Sequence, residues 1–94
     1  DIVGQRTQTD YKVSTNQGWI EETIEIELRN HKDEAEQVII KENLYRWLNW
    51  KLIAHSDDFE KVDSRTVHFN VDVPARGSKT VTYTVKYTWR DPQE

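Results

Sequence analysis

The sequence predicts an all-β fold, an antiparallel β-sandwich of immunoglobulin-like type with about six to seven strands. Three observations predict it. Apolar residues recur with period two along most of the chain, so each segment has one face for a core and one for water. Turn-forming residues interrupt these runs at short spacing. No stretch carries a convincing helical stripe, and the Cys…Trp…Cys pattern of antibody domains is absent, so the architecture alone is argued.

Taken in order, residues from Gly4 to Val13, with Thr7, Thr9 and Tyr11, read as a polar edge strand. Ile24, Ile26 and Leu28 then alternate with Thr23, Glu25, Glu27 and Arg29. Asn30-His31-Lys32-Asp33-Glu34 is a polar turn, after which Val38 and Ile40 resume on one parity, so a hairpin is expected here. A short strand is expected from Lys51 to His55. The charged loop that follows, to Asp63, should turn Phe59 and Val62 inward.

The strongest pattern lies downstream. Val67, Phe69, Val71 and Val73 alternate with Thr66, His68, Asn70 and Asp72. Pro74-Ala75-Arg76-Gly77 supplies turn chemistry, with φ fixed at Pro74 and left-handed freedom at Gly77. Val81, Tyr83, Val85, Tyr87 and Trp89 then alternate with Thr80, Thr82, Thr84, Lys86 and Thr88. Two long runs joined by a short turn predict an antiparallel hairpin with one buried face.

The 94 residues suit one domain, 1–94, with one modest core. Ile, Leu, Val and Phe total 22 of 94 residues, just above the roughly one-fifth level at which disorder sets in. The periodicity and the spread of aromatics favour a folded domain. The net charge is -4 with basic and acidic residues interleaved, which argues against a nucleic-acid partner. No apolar run approaches the roughly 20 residues of a membrane span, so no membrane insertion is expected. No signal peptide is recognisable. The absence of cysteine excludes disulfides and thiolate chemistry. Without methionine, even at position 1, the chain is expected to be a processed product or a piece of a longer one.

Residues 42–52, ENLYRWLNWKL, pose a sharper question. As one strand they put Leu44, Leu48, Trp50 and Leu52 on one face and Tyr45, Trp47 and Ile53 on the other. The four-residue spacing of Leu44, Leu48 and Leu52 also permits a short helix, but the aromatic and β-branched neighbours favour strand. A sandwich this small cannot bury both faces. A break near Arg46–Asn49 resolves the conflict, because Asn accepts turn conformations. Trp50 is then expected in the core, with a truncation cost of roughly 3–5 kcal/mol, and Trp47 should cost much less. Tyr45 and Trp47, with Trp19, form a candidate ligand platform for a sugar or peptide. The competing reading is that these rings cap a thin core, which the energetics of aromatics in small domains favours.

Catalytic signals are missing. His31, His55 and His68 lack the spacing of a zinc pair. Asp57, Asp58, Glu60 and Asp63 lack the regular spacing and glycine of a calcium loop, so no metal site is assigned. Glu25 and Glu27 look solvent-facing, and acid–base work needs two carboxylates in different environments. Ser14, Ser56, Ser64 and Ser78 sit in no nucleophile elbow. Gly4, Gly18 and Gly77 form no phosphate loop. No catalytic residue and no cofactor are assigned.

DIVGQRTQTDY, EIELRNHKDEAEQVIIKENLYRWLNW and TVHFNVDVPARGSKTVTYTVKYTW, in that order, resemble the C-terminal end of a bacterial family of unknown function, the mucoidy-inhibitor-like proteins. The resemblance rests on Asp1 and Gly4, the Arg29-Asn30 turn entry, the Asn49-Trp50 pair and the Tyr83…Tyr87…Trp89 ladder. It implies a terminal β-sandwich module of a longer chain with a coiled coil, in an envelope or periplasmic setting, and carries over no catalytic residue. The expected function is a non-catalytic structural or protein-interaction module. Its partner would be the rest of its own chain or an envelope protein, and the edge from Gly4 to Val13 is one docking candidate. The alternative is a carbohydrate-binding module using Trp19, Tyr45 and Trp47.

Overall fold

Period-two patterning folds as expected into strands alone, in a computed structural model that describes residues 1–89; the last five residues of the assigned domain lie outside it. In chain order the strands are β1 (Ile2–Ser14), β2 (Trp19–Asn30), β3 (Glu36–Asn43), β4 (Trp50–His55), β5 (Glu60–Lys61), β6 (Thr66–Val73) and β7 (Ser78–Thr88). They make two antiparallel sheets, ordered β1-β2-β7-β4 and β3-β6-β5. The chain is therefore a two-sheet β-sandwich. An immunoglobulin constant domain orders its strands first-second-fifth-fourth and third-sixth-seventh. Here β7 and β5 have exchanged those two places.

Both expected hairpins prove to be arches between sheets. β2 pairs with β1 and β7, while β3 pairs with β6. β6 and β7, though joined by four residues, likewise lie in opposite sheets. The reason is that alternation fixes which face of a strand is buried, not which strand lies beside it. Two runs that face each other across a core alternate as cleanly as two that share a sheet. The hairpins that do form are β1–β2 and β5–β6. The first closes through Thr15-Asn16-Gln17-Gly18, where Gly18 takes φ 77° and its N–H reaches Ser14 O at 2.8 Å.

The β6–β7 arch also corrects the expected turn geometry. Its left-handed residue is Arg76, at φ 54°, and not Gly77. Gly77 serves close approach instead. A Cβ there would sit 2.8 Å from Pro74 Cγ. The Gly77 carbonyl accepts the Asn30 N–H at 2.8 Å, which ties this arch to the β2–β3 arch.

Asn30 completes that tie. Its side chain is almost fully buried. Nδ2 donates to Glu34 O at 2.8 Å and Pro74 O at 3.2 Å, while Oδ1 accepts the Lys32 N–H at 2.9 Å. One amide thus satisfies the backbone of both arches at one end of the sandwich, as buried carbonyls require.

Ile24, Ile26 and Leu28 of β2, Val81, Tyr83, Val85 and Tyr87 of β7, and Val67, Phe69, Val71 and Val73 of β6 fill the space between the sheets. Ile40, Leu44 and Leu52 join them. Phe69 stacks on Tyr83 across the sandwich, with ring centroids 5.5 Å apart. Burial of each such side chain is worth about 1.5–3 kcal/mol. Phe59 tucks in as expected, 6.2 Å from Phe69, but Val62 stays exposed in the tight β5–β6 turn. Trp50 also departs from expectation. It is only half-buried, packed against the margin of the core, with its Nε1–H on Ser64 O at 2.8 Å and Lys61 Nζ 5.1 Å from its ring.

Candidate functional site at the aromatic end

The polypeptide breaks between β3 and β4 as the parity argument requires, and the break builds the site. Leu44 is buried, and its N–H is held by Arg65 O at 2.6 Å. From this anchor the chain leaves the core, and Tyr45, Trp47 and Leu48 become exposed by 59%, 51% and 65%. Thr88 N–H to Asn49 O, at 2.9 Å, fastens the far side of the segment to the end of β7. Trp89 N–H to Gly18 O, also 2.9 Å, fastens Trp89 to the β1–β2 turn. Trp47 and Trp89 then meet edge to face, with centroids 6.3 Å apart.

These rings surround an open depression of about 550 Å³ lined by Ile20, Tyr45, Arg46, Trp47 and Trp89. Tyr11 and Val13 on β1 extend the apolar surface, since they pair with Glu22 and Ile20 of β2 and are themselves exposed. Among the described residues, six of the ten exposed large apolar side chains, Tyr11, Val13, Tyr45, Trp47, Leu48 and Trp89, thus lie at this one end.

Arg46 organises the rings. Its guanidinium donates to both oxygens of Glu22, at 3.2 and 3.4 Å. It also lies 5.4 Å from the Tyr11 ring and 5.5 Å from the Tyr45 ring. The hydrogen bonds to Glu22 hold the Arg46 pKa above its ordinary value. Gln8 Nε2 donates to the same carboxylate at 2.6 Å. Beneath, burial pushes the Tyr87 hydroxyl up to about 12, with the Glu22 carboxylate adding to the effect and Arg46 opposing it.

A second inward carboxylate braces the neighbouring strands. Glu42 Oε1 accepts from Tyr83 OH at 2.5 Å and from Arg6 Nε at 3.0 Å. Burial, then the Glu42 hydrogen bond, raise the Tyr83 pKa far above the phenolic range, so Tyr83 acts as a fixed donor. Glu22 is thus engaged from β1 and the β3–β4 segment, and Glu42 from β1 and β7.

Of the three candidate platform residues, Tyr45 and Trp47 come together, and Trp19 does not line the depression with them. Trp19 has the parity of Glu21 and Thr23, which puts it on the outer face of its sheet, where Lys86 Nζ stands 5.0 Å over its ring. Its Nε1–H is bound to Gln17 Oε1 at 2.7 Å. Trp89 takes its place in the cluster. The roles of Arg46, Glu22 and Glu42 escaped the sequence reading. The signal was present: Glu22 shares parity with Ile24, and Glu42 with Ile40 and Leu44, so both had to point inward and find donors.

Elsewhere the charged candidates have structural employment. Asp57 binds Lys79 Nζ at 2.8 Å and accepts the Ser56 hydroxyl, while Asp63 Oδ1 accepts the Arg65 N–H at 2.8 Å. Among the described residues no group of three or more His, Asp or Glu is placed to hold a metal ion. No helix of the described residues is long and apolar enough to cross a membrane. Comparison of the chain with family models, curated proteins and solved structures returns no match.

Proposed function

We propose that this domain is a non-catalytic protein-interaction module that docks its partner on the aromatic end. The observation that carries the reading is the convergence there of Tyr45, Arg46, Trp47 and Trp89 around an open depression. Trp, Tyr and Arg are the residue types that dominate binding energy at protein interfaces. A contiguous exposed apolar patch rimmed by polar residues marks an interaction site. A place at the C-terminal end of a longer bacterial chain belongs to the same proposal and rests on the sequence resemblance alone.

The carbohydrate reading draws on the same exposed rings, but two features weigh against it. Trp47 and Trp89 are inclined by 61°, so they offer no flat platform for a pyranose face. The nearby carboxylates, which would bind sugar hydroxyls, are buried and already paired.

Selection of a random peptide library on the domain tests the proposal, with a Tyr45→Ala/Trp47→Ala variant as counter-target. Peptides should enrich on the wild type and fail on the variant. Enrichment that ignores the substitutions, or a glycan that binds where no peptide does, would overturn it.

A further inference from the structure

Independently of the aromatic end, we infer that the free edge of β3 takes an extended segment of another protein, one that carries an apolar residue with an acidic residue two positions away. The inference starts from how the four sheet edges differ. An edge strand offers unpaired N–H and C=O groups to another chain, and bulges, shortness and charge are the usual protections. β1 and β4, the edges of the four-stranded sheet, each carry a register shift, between Gln8 and Asp10 and between Leu52 and Ala54. β5 is two residues long. β3 alone runs eight residues in unbroken register, and among the described residues it pairs with β6 only. Its charges, Glu36, Lys41 and Glu42, lie toward its ends and leave Gln37–Ile40 uncharged. The edge from Gly4 to Val13 that the sequence singles out for docking is one of the bulged ones.

A second observation shows room for one more strand. Gly4, Arg6 and Gln8 of β1 pair with Leu28, Ile26 and Ile24 of β2 and so share their inward face. The three β2 residues are buried, whereas the three β1 residues are exposed. The three-stranded sheet therefore stops short of β1 and leaves its inner side uncovered. Arg6 Nε to Glu42 Oε1, at 3.0 Å, places β3 beside that uncovered strip. A strand added to β3 continues its hydrogen-bonded ladder and covers the inner side of β1 in the same step. A helix has no free row of N–H and C=O groups to offer such an edge.

The side chains of the edge set the chemistry of the occupant. The outward face of β3 is Gln37, Ile39, Lys41 and Asn43, the parity opposite to buried Ile40 and Glu42. Ile39, in the middle, is 52% exposed. Lys41 lies opposite His68 and makes no ion pair among the described residues. Opposite charges and apolar pairs on neighbouring strands are stabilising. The outward face of the occupant thus carries an apolar residue beside Ile39 and a carboxylate beside Lys41. Inward, it meets Gly4, which has no side chain, and Arg6, whose charge Glu42 already balances, so small hydroxyl residues suit that side. A second copy of β3 does not meet these terms, because its own outward face holds no acid.

The test is an NMR titration of the whole domain with the capped peptide Thr-Glu-Thr-Ile-Thr-Glu-Thr, whose symmetry serves either strand direction. One control replaces both glutamates with lysine, and another replaces the two threonines flanking isoleucine with proline, which removes strand N–H groups. The amides of Gln37 to Lys41 should shift with the first peptide, and each control should bind at least about tenfold more weakly. Lys41→Glu should reverse the preference between the glutamate and lysine peptides, which a loss of folding cannot imitate. Ile39→Lys should abolish binding, and Tyr45→Ala/Trp47→Ala should leave it unchanged, which separates this edge from the aromatic end. No shift at millimolar peptide, equal binding of the proline control, or shifts confined to β1 overturns the inference. Sedimentation that finds β3 closed by a second copy of the domain overturns it as well.

Discussion

Tyr83→Phe isolates one atom of the interior network. Tyr83 is almost fully buried, and its hydroxyl donates to Glu42 Oε1 at 2.5 Å. The ring, stacked 5.5 Å from Phe69, is retained by the substitution. What changes is one hydrogen bond to a charged acceptor, worth about 1.5–3 kcal/mol. Arg6 remains on the same oxygen at 3.0 Å, which keeps the loss toward the lower part of that range. For a domain of this size, a loss of about 2 kcal/mol lowers Tm by roughly 8–16 °C. Urea unfolding followed by tryptophan fluorescence, with the slope unchanged, measures it. A double-mutant cycle with Glu42→Gln should show coupling, since the two groups are in contact. A Tyr83→Phe loss below about 0.5 kcal/mol, or full additivity with Glu42→Gln, would refute the role assigned to this bond.

Three further outcomes follow from the same geometry. Asn30→Asp replaces the donor to Glu34 O and Pro74 O with an acceptor, and should cost at least about 2 kcal/mol at neutral pH, partly recovered in acid where the carboxyl can donate; neutral stability within about 0.5 kcal/mol of wild type would contradict it. Trp50→Ala should cost less than the roughly 3–5 kcal/mol of a fully buried aromatic, and less than Phe69→Ala measured beside it; the reverse order would show that Trp50 is a core residue after all. Tyr83 and Tyr87 have folded pKa values raised above the ordinary 10, Tyr87 to about 12. Their contribution is therefore fully present below pH 10 and is lost as pH climbs beyond it. Urea midpoints should fall across that alkaline window, and fall less steeply in Tyr87→Phe; a midpoint constant through it would contradict the assignment.

What could be read from the sequence was the facing of each residue. Period two placed Ile24, Phe69, Val85 and their neighbours inward correctly, and the conflict of faces in residues 42–52 located the break that exposes Tyr45 and Trp47. Strand partners were not readable, because a β2 residue such as Ile26 is equally well buried by a neighbour in its own sheet or by the opposite sheet. The cluster at the aromatic end was half legible for a related reason. Tyr45 and Trp47 are local in sequence, whereas Trp89 and Tyr11 reach them only once β7 and β1 have been placed. Trp19 looked equivalent as a residue type and was separated by one step of parity.

The central claim is that Tyr45 and Trp47 are held at the surface for a partner and not for the fold. Measuring the folding stability of Tyr45→Ala/Trp47→Ala and its affinity for a selected peptide, side by side with wild type, tests this most directly. The account predicts a folding loss of less than about 1 kcal/mol, as for exposed positions, together with a loss of affinity of tenfold or more, about 1.4 kcal/mol. A folding loss of roughly 3 kcal/mol or more, with peptide affinity unchanged, would contradict it and make the two rings part of the core.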